Sequence, residues 1–80
     1  MCHIWYVINT KDEEYLKAFG KHLKKLRKEK GFTQESLAYK ADLSLSQIGR
    51  IERGEINPTL CTIKLIAENI GISVSQLVDI

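Results

Sequence analysis

From residue 15 onward, apolar side chains recur along this chain at helical rather than strand spacing. Tyr15, Leu16, Phe19, Leu23 and Leu26 are three, four and seven positions apart, which lines them up as one stripe of an α-helix. Upstream, Thr10-Lys11-Asp12-Glu13 fits a capping box, in which a threonine hydroxyl accepts from the third backbone amide and a glutamate reaches back to the threonine amide. Gly31 suits the left-handed residue that ends a helix. The pattern predicts a first helix over about 11–30.

The next two helical runs are short. Thr33 is placed to cap a turn beginning Gln34-Glu35-Ser36, with Leu37, Ala38 and Ala41 on its inward face. Asp42-Leu43 breaks that pattern. Ser44-Leu45-Ser46-Gln47 is a further capping-box match and opens a third helix, about 45–53, with Ile48 and Ile51 inward and Gly54 beyond its end. Two short helices joined by about three residues must cross steeply, the geometry of a helix-turn-helix. Farther on, Asn57-Pro58-Thr59 reads as a turn with a cap. Leu60, Ile63, Ile66, Ala67 and Ile70 form a fourth stripe that Gly71 ends, and Ser73-Val74-Ser75-Gln76 boxes the start of a last helix bearing Val74, Leu77 and Val78. The fold class that follows is all-α, a compact five-helix bundle.

Residues 1–9, MCHIWYVIN, stand outside this pattern. The run is too short to span a bilayer and has neither the charged start nor the cleavage site of a targeting signal. Ile4 to Val7 and Ile8 are good strand formers, so the stretch is open to two readings, a β arm or a tail. The expected organisation is an N-terminal arm over 1–9 and one domain over 10–80.

Eighty residues with 44% hydrophobic content make room for one small core. Net charge is only +2, which does not by itself point to a polyanion. Its distribution is uneven: residues 11–30 carry eight bases against four acids, residues 31–57 three against four. The lysines of the first helix read mainly as a solvated face whose field can speed association with an anionic partner. Cys2, Cys61, His3 and His22 include no close ligand pair, so neither a metal site, a cofactor nor a catalytic thiol is expected, and enzyme activity is not expected either. So sparse a cysteine usage fits a reduced, cytoplasmic protein.

Three stretches together resemble a known family. Gly31-Phe32-Thr33-Gln34-Glu35-Ser36-Leu37-Ala38, then Leu43-Ser44 with Gln47-Ile48-Gly49-Arg50-Ile51-Glu52-Arg53-Gly54, then Asn57-Pro58-Thr59-Leu60 are similar in order and spacing to the phage repressor and Cro (Xre) family of helix-turn-helix DNA-binding domains. The likeness spans about residues 13–79, at a size similar to restriction-modification controller proteins. It implies a transcriptional regulator binding double-stranded operator DNA as a homodimer, with the third helix in the major groove.

With Ile48 and Ile51 inward, Leu45, Ser46, Gln47, Gly49 and Arg50 are left facing out. Leu45, Ser46, Gln47 and Arg50 are the candidates for base contact: leucine against a thymine methyl, glutamine on adenine, arginine on guanine. Gln47 is equally accounted for as the capping-box partner of Ser44. Backbone phosphate contacts fall to Gln34 by resemblance, together with Thr33, and to Ser44, Arg53 and Thr59. The resemblance makes Arg27 and Glu52 a structural ion pair. Val74, Leu77, Val78 and Ile80, with the apolar arm, are the candidates for a dimer interface, the alternative being that the C-terminal residues close over the chain's own core. An antitoxin-like or accessory protein-interaction module is the competing functional class.

Overall fold

The computed structural model describes residues 12–80. The expected arm, residues 1–9, and the expected cap Thr10 lie outside them. Five helices occupy the described residues: α1 Glu13–Glu29, α2 Gln34–Ala41, α3 Leu45–Glu52, α4 Leu60–Ile70 and α5 Val74–Val78. There is no strand among them.

Helix α1 starts later than its expected box. Asp12 is the N-cap, its Oδ1 accepting from the Tyr15 amide at 3.1 Å. A carboxylate at this position caps as well as a hydroxyl does, and it leaves Glu13 and Glu14 in the first turn, beside the positive end of the helix dipole. The buried stripe also begins one residue later, at Leu16, because Tyr15 is exposed. At the other end Gly31, at φ +82°, closes the helix as expected, with Phe32 N–H donating to the Arg27 carbonyl at 3.0 Å.

Asp42 makes the turn between α2 and α3. It takes the left-handed conformation, φ 56° and ψ 41°, which aspartate tolerates better than most residues, and the Leu43 amide then returns to the Ala38 carbonyl at 2.9 Å. The chain reverses tightly enough for Leu37 and Ala38 of α2 to share one core with Ile48 and Ile51 of α3. Phe19 and Leu23 of α1, Ile66, Ala67 and Ile70 of α4, and Leu77 of α5 complete that core.

Two glycines let α1 and the end of α3 come together. A Cβ on Gly20 would fall inside van der Waals contact of the Glu52 carbonyl, and one on Gly54, at φ +74°, would lie 2.8 Å from the Lys17 Cα. Neither position admits a side chain without moving a backbone. The Nε2 of His22 lies 2.8 Å from the Gln76 carbonyl, linking α1 to α5 across 54 residues of chain.

One expected interface residue belongs to this core instead. Leu77 is 0% exposed and packs within the bundle, so it has no surface to offer a partner. In a five-residue helix lying against α1 and α4, only one face can turn inward, and Leu77 is on it. Val74 and Val78 are half-buried against the same core, and Ile80 is 48% exposed.

Candidate nucleic-acid interface

The site is built from helix starts. Thr33 and Ser36 form a reciprocal box at α2: the Thr33 Oγ1 accepts from the Ser36 amide at 3.0 Å, and the Thr33 amide donates to the Ser36 Oγ at 2.9 Å. Ser44 caps α3, its Oγ accepting from the Gln47 amide at 3.0 Å. Thr59 caps α4, its Oγ1 accepting from the Thr62 amide at 3.2 Å. The Thr33 and Ser44 hydroxyls each still have a proton to donate, while the Thr59 hydroxyl is also shared with that of Thr62 at 3.0 Å. The remaining amides of each first turn add partial positive charge, so these starts suit phosphate oxygens.

Only half of the expected box at α3 is present. The Gln47 side chain makes no return bond to Ser44, unlike the reciprocal boxes at Thr33 and Ser73. The Gln47 side-chain carboxamide is therefore not committed to the cap, although its backbone N–H is. Leu45, at 47% exposure, stands on the outward face of α3 with Ser46 and Arg50, and Gln47 is half-buried beside them.

Beneath this face lies a charged cluster. Arg27 and Glu52 are 5% and 8% exposed and pair side-on, Nε to Oε2 at 2.6 Å and Nη2 to Oε1 at 3.0 Å. The Arg27 Nη1 also donates to the Phe32 carbonyl at 2.8 Å, at the end of α1. Gln34 joins from α2, its Nε2 donating to the Glu52 Oε1 at 2.9 Å. Among the described residues no buried side-chain nitrogen or oxygen is left without a partner. The cluster thus ties the end of α1, the start of α2 and the end of α3 to one carboxylate. It also fixes the Gln34 amide with one N–H spent and one remaining.

Gly49 departs from its expected outward position. It is buried, and a Cβ there would lie 3.0 Å from the Arg53 Nη1 and 3.9 Å from the Gln34 Oε1. Arg53's guanidinium covers the glycine, so Gln34 and Arg53, from opposite ends of the two short helices, converge over it. A side chain there would have to displace the Arg53 guanidinium slightly, while Gln34 lies at ordinary contact distance.

Glu55 has no role in the sequence reading. Its carboxylate accepts from the Arg53 Nε at 2.5 Å and lies 3.8 Å from the Arg50 Nε. The hydrogen bond and the charge of Glu55 together raise the pKa of Arg53. Gly20 and His22 are likewise structural contributors that local patterns do not single out. An apolar recess of about 220 Å³ opens beside Val78, lined by Tyr15, Leu16, Phe19, Pro58 and Ile63.

Known proteins share this arrangement. The helix-turn-helix family HTH_3 matches residues 23–77. The chain is 46% identical over 59 residues to the immunity repressor protein of Bacillus phage phi105, a match covering 74% of this chain and 41% of the repressor. It is therefore about two-fifths of that relative's length that the chain spans. It is 43% identical over 60 residues to the control protein C.MunI of Mycoplasma sp, covering 74% of this chain and 81% of that protein. Among solved structures, the restriction-modification controller protein C.AhdI from Aeromonas hydrophila superposes with a TM-score of 0.75 at 38% identity, over 80% of this chain and 96% of the other. With more than half of its residues matched and two short capped helices joined by a tight turn, the chain belongs to the HTH_3 helix-turn-helix family.

Proposed function

We propose that this chain is a transcriptional regulator that reads operator DNA as a homodimer, with α3 in the major groove. The observation that carries the reading is the approach of Gln34 and Arg53 to each other over Gly49, with Gln34 held from below by Glu52 of the buried Arg27–Glu52 pair. It sets Gln34 and Arg53 side by side along the outward face of α3. On this reading Gln47 and Arg50 bond to base edges, Leu45 meets a thymine methyl, and Ser46 is an adaptable donor or acceptor. Thr33, Gln34, Ser44, Arg53 and Thr59 contact phosphates, which positions the protein and makes affinity fall with salt.

The dimer surface is assigned to Val74, Val78 and Ile80, next to the apolar recess, with Leu77 excluded by its burial. One protomer spans too few base pairs for useful selectivity, and twofold pairing places two copies of α3 about one helical turn apart. The related repressor and control proteins support the regulatory role. Acting on chromosomal or phage DNA would place the protein in the cytoplasm.

Selection of bound duplexes from a random pool tests this reading. The expected product is an inverted repeat with half-sites about one turn apart. A pool that emerges without any enriched motif would refute it.

A further inference from the structure

One carboxylate meets both arginines of the proposed DNA face, and the backbone fixes where it stands. Helix α3 ends with Gly54 in a left-handed conformation, its amide donating to the Ile51 carbonyl at 3.0 Å, while the Glu55 amide donates to the Arg50 carbonyl at 2.9 Å. This helix stop cannot slide, because Gly54 is wedged against the Lys17 backbone. Glu55 is therefore held beside the last turn of α3, within reach of Arg50 and Arg53.

Its two oxygens then take up Arg53 side-on: Oε2 accepts from Nε at 2.5 Å and Oε1 from Nη2 at 3.5 Å. Two oxygens side-on to a guanidinium is also how arginine holds a phosphate. Arg50 Nε stands farther off, 3.8 Å from Oε1. All three side chains are about half exposed, so a phosphate can reach the same guanidinium edge.

We propose that Glu55 is an internal competitor for DNA phosphate: it occupies Arg53 in the free protein and must be displaced when Arg53 meets the backbone. Resting on the reading that Arg53 faces DNA, this makes Glu55 a residue that sets affinity. Because Arg53 is held at hydrogen-bond distance and Arg50 only loosely, the competition falls on a contact that does not select sequence. Affinity for any duplex is lowered, and the preferred sequence is left as it is.

The test is fluorescence anisotropy of one labelled duplex of arbitrary sequence at several salt concentrations. Glu55→Gln should bind about 2- to 5-fold tighter at low salt, the span expected of one exposed ion pair. Its slope of log K against log salt should steepen by up to about one. Arg53→Ala should bind more weakly than the parent chain, and Glu55→Gln in that background should bring no gain. Glu68→Gln, which removes an exposed carboxylate on α4, serves as the control for overall charge and should change affinity less than Glu55→Gln. A Glu55→Gln protein that binds no tighter overturns the proposal, and so does a gain that persists without Arg53 or is matched by Glu68→Gln. If Arg53→Ala binds like the parent, the placement of Arg53 at DNA is what has failed.

Discussion

Glu52 accepts from three donors at once. Its carboxylate takes two donors from Arg27 and one from Gln34 while lying 8% exposed. Removing it strands a buried guanidinium, which costs roughly 3–5 kcal/mol, a large part of the stability of a domain this small. Glu52→Ala should therefore lose folding before it loses any DNA preference. Urea unfolding followed by circular dichroism checks this, and a midpoint within error of the parent would contradict it. Glu52 was legible only through family resemblance, since the 25 residues separating it from Arg27 leave no local pattern. The tight contacts of Gly20 and Gly54 were harder still, although Gly54 was read as the end of the third helix. The need for glycine there arises from how close α1 comes to the end of α3, and no local pattern records that distance.

At the scale of elements, helix starts were the most legible features because a cap is a contact between residues three apart. Thr33, Ser44, Thr59 and Ser73 all cap where the pattern placed them. At the start of α1 the capping-box match pointed to Thr10, whereas among the described residues Asp12 caps the helix with a carboxylate and no reciprocal glutamate, a pattern the box does not cover. Ser44 offers a test at this scale, being a one-sided cap on an eight-residue helix. Ser44→Ala should lower stability by about 1 kcal/mol through the orphaned Gln47 amide. It should also weaken DNA binding beyond that loss, because the hydroxyl is assigned a phosphate. Denaturant unfolding and duplex binding on the same preparation separate the two effects. A stability loss with binding unchanged on the folded fraction would limit Ser44 to its cap.

Across the whole molecule, the net charge of +2 says little about a nucleic-acid partner. What bears on it is placement: helix-start amides, two glutamines and two arginines gathered around α2 and α3. The C-terminal apolar residues show the reverse limit, since period alone does not tell which neighbour covers a residue. Leu77 turned inward and Ile80 remained 48% exposed. Ile80→Asp should thus shift the protein toward monomer in sedimentation velocity without changing its unfolding midpoint, and an unaltered mass distribution would remove Ile80 from the interface. The central claim is that the outward face of α3 selects sequence. It is tested most directly by repeating the random-duplex selection with Gln47→Ala and Arg50→Ala. The account predicts that each variant keeps its fold and returns a motif relaxed at particular positions, with each lost base contact worth roughly 1–3 kcal/mol. Both variants returning the parent motif unchanged would contradict it.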